Sequence, residues 1–108
     1  MEIESTQYKI VLVTVGSLEQ GEKIAKAILT AKLAACINMF PINSWYWWEG
    51  EINSSREHQL IIKTNVHKFS ELADKIKTLH DYEVPEIIAI PITTGSKSYL
   101  DWLGKSLK

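Results

Sequence analysis

A Glu49-Gly50 pair separates two long extended runs, and this arrangement constrains the fold more than any other feature of the chain. Residues 35–48 offer Cys36, Ile37, Met39, Phe40, Ile42 and then Trp45-Tyr46-Trp47-Trp48, residue types that favour strands, and residues 51–64 close on Leu60-Ile61-Ile62. Gly50 can supply the positive φ that a tight two-residue connection needs, so the two runs are expected to pair as a hairpin. Pro41 has no amide hydrogen to give to a ladder, which puts its strand at an edge or a bulge.

Strand and helix patterns flank the hairpin on both sides. Residues 8–15 are nearly all β-branched or apolar and read as a central strand. Ser17 and Gln20 then form a capping box, and Ile24, Ala27, Ile28 and Ala31 recur at helical spacing down to Lys32. After the hairpin, Asn65 is a candidate N-cap, and Phe69, Leu72, Ala73, Ile76 and Leu79 mark one face of a second helix. Residues 80–85 read as a loop, 86–93 as a fourth strand, Gly95-Ser96 as a break and 98–107 as a short C-terminal helix. The order βαββαβ plus a helix predicts an α+β, ferredoxin-like fold: an antiparallel four-stranded sheet with two helices on one face. Residues 1–7 read as a polar N-terminal extension and 8–108 as a single domain.

Two helices cover only one side of such a sheet, yet the 35–48 strand is apolar at both parities. Cys36, Phe40, Ile42, Tyr46 and Trp48 share one face, and Ile37, Met39, Trp45 and Trp47 the other. A face left to water would alternate with polar groups, so the second face is expected to meet further copies of the chain. Lys plus Arg number 12 against 13 Asp plus Glu, a net charge of -1 that gives no positive field for nucleic acid or an anionic membrane. RNA-recognition modules of this topology stack bases on aromatics of their first and third strands, where this chain offers only Tyr8. The N-terminus is acidic and polar, no apolar run approaches the ~20 residues of a membrane span, and Cys36 is the single cysteine. A cytoplasmic protein with neither nucleic-acid nor membrane partners is expected.

Residues 16–23 approach a phosphate-binding loop but place Glu22 where the lysine belongs and Gly21 inside a helix. Cys36, beside Ala34, Ala35 and Ile37, reads as a core hydrophobe rather than a thiolate. His58 and His67 read as solvated, and no histidine has a second ligand at metal-binding spacing. The segment His80-Asp81-Tyr82-Glu83-Val84-Pro85-Glu86 gathers an imidazole, three carboxylates and a phenol, enough to bind a cation or polar ligand, or else a rigid turn with paired charges. The aromatics at the hairpin tip read as a subunit contact or a ligand-stacking wall. Lys63 reads as reaching solvent or pairing with a carboxylate such as Glu86.

The runs 32–38, 45–51, 61–64, 80–86 and 99–103, in this order and spacing, resemble the CutA divalent-cation tolerance family. The resemblance covers residues 8–104 and implies a ferredoxin-like subunit in a tight homotrimer, PII-like in assembly, with the hairpin wrapping its neighbours. It implies a link to copper and other divalent cations, and a cleft between subunits whose matching positions here are Trp48, Lys63, His80, Tyr82, Glu86 and Trp102. The copper ligands proposed for the family fall on Val13, Leu79 and His80, and only His80 has a lone pair to give. The metal expectation is therefore weak binding of Cu(II) or Zn(II) at His80, aided by Asp81 or Glu83, with no metal retained through purification.

The functional expectation is a trimeric protein that takes a small ligand or divalent cation at that cleft. The alternatives are an enzyme at the same cleft, with His80 or Glu86 as general acid or base and Lys63 holding an anion, and a structural trimer that scaffolds a partner.

Overall fold

The structure is a computed structural model that describes residues 2–4 and 7–108. Its elements run β1 (Glu2–Glu4), β2 (Tyr8–Val15), α1 (Leu18–Thr30), β3 (Cys36–Trp48), β4 (Glu51–Asn65), α2 (Phe69–Leu79), β5 (Ile87–Pro91), β6 (Thr94–Ser96) and α3 (Lys97–Ser106). Strands β3-β4-β2-β5 form an antiparallel four-stranded sheet, which is the ferredoxin-like order with a helix appended. β2 is central as expected, and Pro41 lies on β3 at the sheet edge, where its missing amide hydrogen costs least.

Alternation sets the core. Val11, Val13 and Val15 of β2, and Leu60 and Ile62 of β4, point to the helix face and are fully buried against Ile24 and Ile28 of α1 and Leu72 and Ile76 of α2. Each such side chain contributes about 1.5–3 kcal/mol by leaving water. Ser17 caps α1 through the Gln20 amide at 3.1 Å, and the helix ends with Leu33 N donating to Ile28 O at 2.9 Å. Thr64 is the buried hydroxyl of this layer and donates to Leu33 O at 2.7 Å, tying β4 to the end of α1.

The hairpin outruns the sheet. β4 pairs with β2 only from His58 onward, whereas β3 and β4 stay paired out to Trp48 and Glu51. The remainder projects as a two-stranded arm, and Glu49 (φ 50°) and Gly50 (φ 79°) turn its tip. The arm gives the chain extents of 47 × 25 × 21 Å and a radius of gyration of 14.7 Å, against about 13 Å for a compact chain of this length. A two-stranded ribbon is marginal by itself in water, and this one exposes Trp45 by 71% and Trp47 by 72%. The opposite face of the sheet carries Phe40, Ile88 and Ile90, all exposed.

Several expectations change. The N-terminal extension is partly a strand: β1 pairs with β6 through Ile3 opposite Gly95, so the Gly95-Ser96 stretch is paired rather than a plain break. Residues 1, 5 and 6 of that expected extension lie outside the described residues. Asn65 caps a 3-10 turn, Val66–Lys68, which precedes α2, and the fourth strand spans only Ile87–Pro91. Cys36 is not core. It sits opposite Lys63 on the open face of the sheet and is half-buried, because its parity is opposite to that of Ile37 and Met39, which pack on the core. His58 is half-buried rather than solvated, with Nδ1 sealed from water and without a hydrogen-bond partner among the described residues. No helix among the described residues is long and apolar enough to cross a membrane.

Candidate functional site

The loop between α2 and β5 folds back against the end of β2 and the base of the arm. Three contacts place it. Gln20, buried on α1, accepts from the Asp81 amide at 2.6 Å. His80 Nδ1 accepts from the Tyr82 amide at 3.0 Å, so the ring hydrogen is on Nε2, which donates to Thr14 O at 2.8 Å. Gly16 leaves room for the Tyr82 ring, whose Oη would stand 3.1 Å from a Cβ placed there.

Tyr82 then reaches across to the arm, donating through Oη to Glu57 Oε2 at 2.5 Å. Burial, followed by the hydrogen bond to Glu57 and that carboxylate's charge, pushes the phenol well above the usual tyrosine range. Thr14 Oγ donates to Glu86 Oε2 at 3.0 Å, and Gln59 Nε2 donates to Val13 O at 3.1 Å and Leu60 O at 3.3 Å. Between loop and arm lies an open groove of about 810 Å³. Its walls are the tip aromatics Trp45 to Trp48 on one side and Asp81 to Val84 on the other, with Thr14, Glu57, Gln59 and Glu86 along the floor.

Of the expected cleft residues, the groove gathers Trp48, Tyr82 and Glu86. Lys63 and Trp102 belong to a second cluster. Lys63 stands opposite Ile10, four residues along β2 from Thr14, which is about 13 Å at strand spacing. Its ammonium donates to Asn38 Oδ1 at 3.0 Å, lies 4.0 Å from Cys36 Sγ and sits 5.7 Å above the Tyr99 ring, which packs against Trp102 at 5.5 Å. The expected Lys63–Glu86 pairing is thus replaced by Lys63–Asn38. An acid–base enzyme built on Lys63, His80 and Glu86 does not assemble within one chain.

His80 meets the metal expectation with both ring nitrogens engaged, so an ion there would have to break one of its two hydrogen bonds. Val13 is buried in the core, and Leu79 packs partly buried against it. Among the described residues no three His, Cys, Asp or Glu side chains stand close enough to hold a metal ion. The described residues of one chain do not fit a resident divalent cation. Sequence reading missed Glu57, Gln59 and Thr14 as floor residues. The signal was present in the parity of β4, which puts Glu57, Gln59, Ile61 and Lys63 on one face, and was masked by the polar run Ser54-Ser55-Arg56.

The family model described as CutA1 divalent ion tolerance protein matches residues 9–106. The chain belongs to the CutA1 family. A divalent-cation tolerance protein CutA from Archaeoglobus fulgidus is 46% identical over 101 residues, covering 94% of this chain and 99% of that one. The solved structure described as the periplasmic divalent cation tolerance protein CutA of that organism superposes with a TM-score of 0.92. CutA from Synechococcus elongatus PCC7942 superposes with a TM-score of 0.96 at 33% identity, covering 100% of this chain and 96% of that one. A rice relative, Protein CutA 1, chloroplastic, is 45% identical over 100 residues, 92% of this chain and 56% of its own length. The ferredoxin-like order, the four-stranded sheet and the family membership read from sequence all stand. In this CutA1-family chain, the groove combines the aromatic hairpin with the loop that carries Tyr82 and Glu86.

Proposed function

We propose that the protein is a homotrimer, PII-like in assembly, that serves divalent-cation tolerance, copper included, by binding a small ligand or divalent cation at a cleft between subunits. The observation that carries this reading is the division of the expected cleft residues between two separated clusters of one chain. Trp48, Tyr82 and Glu86 line the groove, whereas Lys63 and Trp102 stand together elsewhere. A cleft in which one subunit's groove faces its neighbour's Lys63 and Trp102 reunites them. The exposed indoles of the arm and the apolar open face of the sheet supply the surface for such packing.

Light scattering on the purified protein is the test, with an expected mass of three times 12.3 kDa. A stable monomer at micromolar concentration would overturn the assembly and the cleft with it. Given a trimer, mixing Lys63→Ala chains with Glu86→Ala chains should regenerate ligand-competent clefts that neither variant forms alone.

A further inference from the structure

We propose that the groove takes an organic cation, an ammonium or guanidinium group on a slender apolar stem, rather than a bare metal ion or an anion; this rests on the reading that the groove is the ligand cleft. The aromatic wall carries the inference. Tyr46 and Trp48, on the strand face that carries Ile42 and Glu57, line the groove together with Tyr82, and aromatic faces attract weakly hydrated organic cations. Ile42 and Val84 add apolar surface for a stem.

Charge fixes the sign of the ligand. Among the described residues, the lining includes Glu57, Asp81, Glu83 and Glu86 and no lysine, arginine or histidine. A neighbour's Lys63 entering the cleft would set one positive charge against four negative ones. The floor also turns its hydrogens away from the space. Thr14 gives its proton to Glu86, Tyr82 gives its own to Glu57, and the Gln59 amide hydrogens go to main-chain carbonyls. What these floor groups leave for a ligand is acceptor oxygen, so an anion would meet the repulsion of four carboxylates, with only the indole N–H groups and hydroxyls of the arm as donors.

The same geometry separates an organic cation from a metal ion. The four carboxylates are strung along the groove, and among the described residues no three acidic, His or Cys side chains converge as metal ligands. A divalent ion would therefore keep its water shell and gain only a diffuse field. An organic cation needs no inner ligand sphere and gains from both the field and the rings.

The experiment titrates the intact purified protein with spermidine, following tryptophan fluorescence and heat, while light scattering records the mass in the same buffer. Mg²⁺ at equal ionic strength and glutarate serve as controls. Saturable binding of spermidine alone is expected, weakened by added salt. It should weaken at least about tenfold in Glu83→Gln/Glu86→Gln, since a hydrogen bond to a charged group is worth that much. Glu83→Gln alone, a change in an exposed loop, keeps the test valid if the double variant folds poorly, and it too should weaken binding. A trimer that binds no spermidine, binds Mg²⁺ or glutarate in its place, or binds spermidine equally well after both substitutions overturns this inference and leaves the trimer standing. A monomeric mass instead removes the cleft on which the inference rests.

Discussion

Tyr82 Oη donates to Glu57 Oε2 at 2.5 Å, and that single bond joins the loop after α2 to the arm strand β4. Glu57 is only 6% exposed, so its carboxylate depends on this donor for part of what water would otherwise provide. The bond therefore holds the two walls of the groove in register.

Tyr82→Phe is expected to destabilise the protein by about 1–3 kcal/mol, the cost of leaving a buried acceptor short of a partner. Urea denaturation measures this. The phenol's ionisation is raised in the folded state above its ordinary value of 10.0. The bond's contribution is then fully present below about pH 10 and is lost as pH rises through the folded value. Glu57→Gln should bring the rise in tyrosinate absorbance to lower pH, and superimposable titrations of variant and parent would contradict that.

Thr64→Val keeps the side-chain shape and removes the hydroxyl that donates to Leu33 O at 2.7 Å. A loss of about 1–2 kcal/mol is expected, because the carbonyl stays behind in the buried layer. An unchanged denaturation midpoint would mean that the carbonyl finds another donor.

Lys32 follows α1 at φ 60°, a left-handed position where its Cβ is strained, while its amide donates to Leu29 O at 3.0 Å. Lys32→Gly should stabilise the protein by about 1 kcal/mol, and Glu49→Asn at the arm tip (φ 50°) by a smaller amount. The two sites are distant, so thermal melts of the double variant should show additive gains.

Trp47 is 72% exposed in the single chain, so removing it takes little from the subunit's own core. If neighbours bury the indole, Trp47→Ala should weaken assembly by roughly 3–5 kcal/mol per fully buried copy. The expected signature is a melting temperature that falls on dilution, together with loss of trimer mass. Unchanged mass and melting at every concentration would show that the ring is not a subunit contact.

The sequence by itself determined the element order, the hairpin and the helix-facing core, because those follow from local periodicity. Val11, Val13 and Val15 alternate, Ile24 and Ile28 recur at helical spacing, and Glu49-Gly50 offers the positive φ of a tight turn. It also carried the family, through five separated runs that match in order and spacing. It did not determine which chemical groups meet. Lys63 and Glu86 are both polar positions at strand ends, and only the register of β4 on β2 puts Lys63 opposite Ile10 while Glu86 reaches Thr14. His80 looks available as a ligand until the folded loop engages both of its nitrogens. Cys36 looks buried until strand parity turns it to the open face beside Lys63. Glu57 becomes a buried partner of Tyr82 only because a loop more than twenty residues away in sequence packs on it. Periodicity is a property of neighbours along the chain, whereas a site is made by residues that packing and register bring together from distant parts of it.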